Sequence, residues 1–234
     1  MALSIAQTHA VWKIVKPGMR VASFGYPDII APMEQIEKIL KEEISELSYR
    51  ADSQAICKRH GLADRPIPDA DSFFALLGAK LTVYDIVRER GNEIILDLNE
   101  PLKLIEQYDL VLDVGTVEHC FNIAQAMMNM ASMVNVGGRI IHENPFNCGN
   151  HGFYNLNPTF YCDFYAANGF RVTVCGLVGK DGNAGPVAPG RRFKYTDSEA
   201  NVFVIAERLC EQPFVFPVQA KYQGLIQMPK AANA

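Results

Sequence analysis

The segment that most constrains the fold is an apolar run, Tyr108–Val114 (YDLVLDV), which is followed directly by Gly115. A short apolar run that is partly β-branched and ends at a glycine is typical of a buried strand. Weaker runs of the same kind predict further strands at residues 20–24, 81–85, 93–96, 139–142, 170–175 and 201–206. The chain is therefore expected to build a buried sheet.

Segments with helical periodicity lie between most of these strands. They are predicted at residues 3–16, 29–44, 51–59, 71–77, 122–134 and 159–168. Strands that alternate with helices favour an α/β fold with a Rossmann-like, doubly wound, mostly parallel sheet, here of seven strands. The last two strands are joined without a clear helix, so we expect the final strand pair to be antiparallel.

Composition narrows the classes of partner. The chain has 234 residues, 49% of them hydrophobic, and a formal net charge of −4. This charge gives no reason to expect nucleic acid or an anionic membrane as a partner. We expect a cytoplasmic protein because the start does not resemble a signal peptide, no apolar run nears 20 residues, and six scattered cysteines without a C-x-x-C pair suggest reduced thiols.

The predicted organisation has three parts. Residues 1–17 are expected to form a helical lid over the ligand cleft, residues 18–210 the main α/β domain, and residues 211–234 a loosely patterned tail. A possible homodimer is left open, because oligomeric state leaves no signal in the sequence.

Ligand-binding residues are expected at the carboxyl ends of the strands, where open α/β sheets bind ligands. Gly25, Asp85, Asp97 and Gly115 each follow a predicted strand. The carboxylate of Asp85 could accept bonds from both hydroxyls of a ribose, or it could simply cap the strand end. Gly25 stands alone where a dinucleotide fingerprint needs three glycines, so a nicotinamide enzyme is disfavoured.

Several segments resemble, in order, the motifs of class I S-adenosylmethionine-dependent methyltransferases. They are RVASFGYPD, LTVYD, EIILDLNEP, YDLVLDVGTVEHCFN and VGGRIIHENPFN, and the resemblance covers about residues 18–207. GTVEHCFN and HGFYNLNPTFYCDFYAANGF resemble a subgroup that acts on small molecules. The first motif departs from the acidic G-x-G pattern of the family, since Ala22 stands where an acid is common.

The resemblance implies S-adenosylmethionine as the cofactor and assigns roles to individual positions. Asp85 would hold the ribose, Asp97 and the amide of Leu98 the adenine, and Glu118 would face the reactive end. The complete set of implied cofactor-binding residues is Gly25, Tyr26, Asp85, Ile86, Asp97, Leu98, Gly115, Thr116 and Glu118.

Histidines and aromatic residues are the candidates for chemistry. His119 and His151 follow the fourth and fifth strands and could act as a general base, or they could be structural. His142 lies within a strand and is predicted to be structural. Tyr154 is a third catalytic candidate, and the residues predicted to bind the acceptor are Phe121, Asn147, Asn150 and Phe153. The two asparagines could equally bond to loop backbone.

No metal site is predicted. His119, His142, Glu143 and His151 could converge, but they lack a tight ligand spacing such as H-x-x-x-H.

The leading hypothesis is therefore methyl transfer from S-adenosylmethionine to the oxygen or nitrogen of a small molecule. One alternative keeps the cofactor but cyclises its aminobutyryl group, with release of methylthioadenosine. A second alternative is an inactive cofactor-binding or structural subunit that partners an active enzyme, which a degenerate first motif would fit.

Overall fold

The computed structural model describes residues 2–103, 105–179, 184–188, 192–194 and 199–225. The strands are β1 Ala2–Leu3, β2 Arg20–Phe24, β3 Asp28–Ile29, β4 Lys80–Asp85, β5 Ile94–Ile95, β6 Tyr108–Val114, β7 Val134–Pro145, β8 Phe170–Gly179, β9 Ala184–Pro186 and β10 Ala200–Arg208. The helices are α1 Ile5–Ile14, α2 Met33–Leu40, α3 Ser53–Arg59, α4 Ala70–Leu76, α5 Ile123–Ser132 and α6 Pro158–Ala167. Three 3-10 helices cover Lys41–Glu46, Val117–His119 and Ala220–Leu225.

The main sheet has eight strands in the order β5-β4-β2-β6-β7-β10-β8-β9. Strands β5, β4, β2, β6 and β7 are parallel, whereas β10 is antiparallel to both β7 and β8. The predicted Rossmann-like α/β class and the antiparallel final pair are thus confirmed. The predicted number of seven strands is wrong by one, because β9 adds a short antiparallel strand beside β8.

Both faces of the sheet are covered by helices. Alternate residues of a strand point to opposite faces, and in β6 Leu110 and Leu112 join one buried cluster while Val111 joins the other. The first cluster includes residues of α1, α2 and α4, and the second includes residues of α5 and α6. The result is a three-layer, doubly wound arrangement that leaves the strand ends free to build a site.

Helix α1 belongs to one of these layers. Val11 and Ile14 are buried in the same cluster as Leu110, Ile141 and Ile205 of the central strands. This packing places α1 on the face of the sheet, whereas the sequence analysis expected a lid across the cleft. The helix packs there because its apolar residues cover the apolar face of β6, β7 and β10.

The helix expected from residue 29 begins later, at Met33. Asp28, the residue before the expected start, lies in β3, which pairs with β1. The Asp28 carboxylate is buried and lies 3.3 Å from the guanidinium of Arg90. The helix ends at Leu40, because Lys41 adopts a left-handed φ of 52°.

Strand β7 is much longer than residues 139–142. It begins at Val134, two residues after α5 ends at Ser132, and runs through Gly137 and Gly138. Gly137 has a positive φ of 83°, and the pairing with β6 shifts register between Tyr108 and Leu110. Gly137 and Gly138 therefore lie within an irregular strand.

The described part of the tail docks against α6. The Asn168 side chain donates to the Val215 carbonyl at 3.0 Å and accepts from the Val215 amide at 2.7 Å. Residues 226–234 of the predicted tail lie outside the described residues.

All six cysteines lie in described segments, and no disulfide bond joins any two of them. Among the described residues, the helices are too short or too polar for any of them to cross a bilayer.

Candidate active site

A cavity of about 250 Å³ opens at the carboxyl ends of β2, β4 and β6. Strand β2 lies between β4 and β6. The chain connections on the two sides of β2 run in opposite directions across the sheet. Open α/β sheets bind ligands at such a switch point. Its lining residues are Phe24, Gly25, Tyr84, Asp85, Ile86, Leu96, Asp97, Leu98, Asn99, Gly115, Thr116, His119 and Cys120.

Eight of the residues singled out from the sequence line this one cavity. They come from four separate segments of the chain and are Gly25, Asp85, Ile86, Asp97, Leu98, Gly115, Thr116 and His119. The parallel pairing of β2 with β4 and β6 brings these segments together, because it aligns their carboxyl ends.

Two glycine turns form the floor of the cavity. Gly25 and Gly115 have φ values of 90° and 84°, which a side chain would strain. The Gly25 amide donates to the Tyr84 carbonyl at 2.7 Å, and the Thr116 hydroxyl donates to the Phe24 carbonyl at 2.7 Å. The two turns are therefore held side by side, and their bare backbone allows a ligand to approach closely.

Asp85, the last residue of β4, and Asp97, which follows β5, line the cavity wall. Asp85 Oδ1 accepts from the Val87 amide at 3.2 Å. Asp97 Oδ1 accepts from both the backbone amide and the side-chain amide of Asn99, at 2.9 and 2.8 Å. Asn99 Oδ1 in turn accepts from the backbone amide of Asn122, the residue before α5. Asp97 is thereby oriented by a short hydrogen-bonded chain.

The 3-10 turn after β6 places Glu118 and His119 beside the cavity. The Val117 amide donates to the buried Asp113 Oδ1 at 3.0 Å, which anchors the turn. Glu118 Oε1 lies 3.8 Å from His119 Nε2 and 3.5 Å from His151 Nε2. The two imidazole rings are 5.3 Å apart between centroids. His151, which follows a different strand, therefore meets the turn that carries His119.

Burial shifts the pKa values of Glu118 and His119. Glu118 is fully buried, and burial together with the charge of Asp113 raises the pKa of its carboxyl to about 7. The pKa of His119 is lowered, first by burial and then by the neighbouring His151. Both imidazole side chains remain about half exposed, so a small molecule can reach them.

A buried polar network supports the cluster from below. Asn144 donates to Glu118 Oε2 at 3.0 Å and accepts from the Tyr161 hydroxyl at 2.5 Å. Beside it, His142 bonds through Nδ1 to Asp113 at 2.6 Å and through Nε2 to the Tyr165 hydroxyl. This fully buried position agrees with the structural role predicted for His142.

Tyr26, expected at the cofactor, lies elsewhere. It is buried, its hydroxyl donates to Asp69 at 2.7 Å, and its ring faces the guanidinium groups of Arg50 and Arg90. It does not line the cavity. The chain turns inward at Pro27 to pair β3 with β1, and this turn carries Tyr26 into the core near α4.

The two asparagines predicted to bind the acceptor lie in the loop after β7. Asn147 Oδ1 accepts from the Ala200 amide at 2.7 Å. Asn150 adopts a left-handed φ of 59°, which asparagine tolerates better than most residues, directly before His151. The alternative of loop bonding, left open from the sequence, is the arrangement found for Asn147.

The aromatic candidates form an exposed rim. Phe121 and Phe153 pack edge to face with centroids 5.4 Å apart, and 72% and 63% of their surfaces are exposed. The Tyr154 hydroxyl donates to the Phe121 carbonyl at 2.8 Å, which fixes the rim. None of the three lines the cavity itself.

Sequence reasoning missed five residues of the lining. Phe24 ends β2, Tyr84 is the penultimate residue of β4 and Leu96 follows β5, and each lies one residue before a predicted glycine or acid. That adjacency is a signal that could have found them. Asn99 and Cys120 carry no such signal, and burial raises the pKa of the Cys120 thiol to about 12, so it forms an uncharged wall.

No protein-family model matches the chain, and no curated protein sequence matches it either. Solved structures with a similar fold include a 1,6-didemethyltoxoflavin-N1-methyltransferase from Burkholderia thailandensis with bound S-adenosylhomocysteine. It is 12% identical, with a TM-score of 0.46 and coverage of 87% of this chain and 76% of that one. A complex of the Haloferax volcanii Trm112 activator with a putative methyltransferase gives 10% identity, a TM-score of 0.48 and coverage of 87% and 88%.

TehB from Haemophilus influenzae gives 12% identity and a TM-score of 0.40, and this chain spans 60% of it. These likenesses concern the fold alone. The fold class itself rests on the strand order of the sheet.

Proposed function

We propose that this protein binds S-adenosylmethionine in the cavity and transfers its methyl group to an oxygen or nitrogen of a small molecule. One observation carries the proposal. Two glycine turns and two strand-end carboxylates, from four separate segments, converge on a single cavity at the switch point of the sheet.

The cavity residues suit an adenosine. The Asp85 carboxylate can accept bonds from both ribose hydroxyls. The Leu98 amide and the Asp97 carboxylate can bond to the polar edge of an adenine, and Leu96 and Tyr84 add apolar walls to the same cavity. A side chain at Gly25 or Gly115 would narrow the cavity, so the two glycines leave room for the ligand.

The turn after β2 also suits a cofactor without a pyrophosphate. Gly25 is the single glycine of the first turn, and the loop after β2 continues through Tyr26 into the core. A nucleoside that lacks phosphate makes no demand for the three-glycine turn of a dinucleotide site. The donor set therefore fits a nucleoside cofactor better than a dinucleotide.

The reactive end is assigned to His119, which lines the cavity and also reaches Glu118. Bound S-adenosylmethionine supplies an electrophilic methyl carbon, whose bond to sulfur breaks as the acceptor atom bonds to it. The contribution of His119 is to accept the proton that the acceptor loses and to hold the acceptor in line. Its lowered pKa keeps the imidazole neutral at pH 7, as this role requires.

The acceptor would enter over the aromatic rim. Phe121 and Phe153 offer an exposed apolar surface next to the two histidines. Such a surface favours a small molecule with a flat or apolar part and a nucleophilic oxygen or nitrogen.

Titration calorimetry with S-adenosylmethionine tests cofactor binding. We expect Asp85→Asn to weaken binding about 10–100-fold, because a hydrogen bond to a charged group contributes about 1.5–3 kcal/mol. Asp64→Asn is the matched control, since Asp64 is exposed and bonds to Gln54 away from the cavity. Absence of binding to the unaltered protein would contradict the proposal and favour an inactive partner subunit.

Mass spectrometry of the adenosine product tests the reaction. The protein is incubated with S-adenosylmethionine and a panel of hydroxylated and aminated aromatic compounds. S-adenosylhomocysteine is the expected product. Methylthioadenosine, formed without any acceptor, would instead indicate the cyclising alternative.

A further inference from the structure

Three potential metal ligands meet at one point beside the cavity. One ligand atom each from Glu118, His119 and His151 lies within 4.8 Å of the other two. Glu118 and His119 belong to the 3-10 turn after β6. His151, which is 33 residues after Glu118, lies in the loop after β7. His142 and Glu143, considered with them from the sequence, bond instead to Asp113 and Asn201.

Glu118 has one oxygen that accepts no hydrogen bond from any described residue. The residue is fully buried, Oε2 accepts from Asn144, and Oε1 has no hydrogen-bond partner. A buried carboxylate oxygen without a partner is costly. Oε1 points toward the two imidazole Nε2 atoms, at 3.8 and 3.5 Å, so a cation between them would satisfy it.

The loop that carries His151 is fitted closely to Glu118. A Cβ on Gly152 would lie 2.9 Å from the Glu118 carbonyl oxygen and 3.0 Å from its Cγ, so only glycine fits without a shift. The Phe153 amide donates to the same carbonyl at 2.9 Å. These contacts hold His151 against the turn and set the spacing of the three ligand atoms.

The donor set selects the kind of cation. Two imidazole nitrogens and one carboxylate suit Zn²⁺ and neighbouring transition metals, whereas Mg²⁺ and Ca²⁺ prefer oxygen. Metal–ligand bonds of about 2.0–2.2 Å place ligand atoms roughly 3.3 Å apart in a tetrahedral site. Small side-chain rotations of the two half-exposed histidines would close the observed spacing to that value.

We propose that Glu118, His119 and His151 bind a divalent transition-metal cation such as Zn²⁺, and that an oxygen of the acceptor occupies its open coordination position. Three protein ligands with one open position is the arrangement of catalytic zinc sites. With the metal bound, His119 is a ligand and no longer the base. The metal would hold the acceptor beside the cavity and lower the pKa of its hydroxyl, whose proton is released to solvent. This role for the metal rests on the proposed methyl transfer, while the metal site itself does not.

The test uses protein without an affinity tag, freed of metal by a chelator and dialysed. Zn²⁺ is titrated by calorimetry, and Co²⁺ by its visible absorption, with Mg²⁺ as a comparison. We expect one equivalent of Zn²⁺ to bind, Co²⁺ to give a visible band, and Mg²⁺ to give no heat.

Two ligand variants and a control locate the site. His119→Ala and His151→Ala should each weaken Zn²⁺ binding by at least about 100-fold, because loss of even an outer-shell partner costs 10–100-fold. His9→Ala, an exposed histidine on α1, should bind as the unaltered protein does. Gly152→Ala keeps all three ligands but should weaken binding, and circular dichroism verifies that each variant is folded.

Absence of saturable Zn²⁺ binding, or equal binding in His151→Ala, would overturn the metal site. Acetohydroxamate, a small oxygen ligand, should shift the Co²⁺ spectrum, and an unchanged spectrum would overturn the open position. S-adenosylmethionine binding is measured separately in chelator. Zn²⁺ binding without cofactor binding would refute the proposed function alone, and the reverse result would refute the metal site alone.

Discussion

The hydroxyl of Thr116 donates a hydrogen bond of 2.7 Å to the carbonyl oxygen of Phe24, the last residue of β2. This bond joins the loop after β6 to the end of its neighbour, directly under the cavity. The two glycine turns therefore depend on each other for their positions.

Thr116→Val removes this bond and keeps the side-chain shape. We expect a loss of about 1 kcal/mol in the free energy of unfolding and about fivefold weaker binding of S-adenosylmethionine. Chemical denaturation and calorimetry measure the two effects. Thr173→Val is the control, since Thr173 bonds in the same way to the Ile205 carbonyl away from the cavity, and it should change stability without changing affinity.

Gly115→Ala should destabilise the protein by about 1–2 kcal/mol, because alanine at a φ of 84° is strained. It should also weaken cofactor binding, since a methyl group would face the ligand. Gly149→Ala is the comparison, as Gly149 has no positive φ and no heavy atom within 4 Å of an added Cβ. Equal stability of the two variants by urea denaturation would contradict the strain argument.

Stability should depend on pH through Glu118. Its pKa is about 7 in the folded protein and near 4.5 when unfolded, so the folded state holds the proton more tightly. The stabilising contribution is complete below pH 4.5 and is lost as pH rises through 7. Between pH 5 and 8, the free energy of unfolding should therefore fall by about 2–3 kcal/mol less in Glu118→Gln than in the unaltered protein.

Urea denaturation in the presence of a chelator measures this difference at each pH. Glu34→Gln, at an exposed position on α2, should follow the unaltered protein. Glu143 has a similarly raised pKa, so the Glu118→Gln variant should keep part of the pH dependence. Parallel curves for Glu118→Gln and the unaltered protein would contradict the burial of a titrating carboxyl at this position.

Tyr165→Phe should destabilise the fold by about 1–3 kcal/mol, because it leaves Nε2 of the buried His142 without its partner. Cofactor affinity should change less than twofold, since neither residue lines the cavity. Tyr222→Phe, at an exposed position, should be neutral in thermal unfolding. A large loss of affinity in a folded Tyr165→Phe protein would show that the network reaches the ligand.

The sequence predicted the sheet and the cavity floor because both depend on local signals. A strand followed by a glycine or an acid marks its own carboxyl end, and parallel pairing brings such ends together without further information. Gly25, Asp85, Asp97 and Gly115 were found in this way.

The rest depends on contacts between distant segments. Nothing local shows that Asp28 pairs with Arg90 or that Tyr26 turns away from the cavity into the core. The meeting of His151 with Glu118 depends on a loop after another strand and on the room left by Gly152. Ligand spacing along the chain gave no sign of that cluster, which is assembled only in three dimensions.

The pairing of β2 has a consequence for how the chain is made. Val21 lies opposite Leu81 of β4 on one side and Leu110 of β6 on the other. During synthesis on the ribosome, β2 must wait for about half of the chain before both of its edges are covered. Pairings between such distant segments form slowly and leave apolar strand edges open to aggregation. The yield of folded protein should therefore depend on temperature and on chaperones more strongly than its free energy of unfolding would suggest.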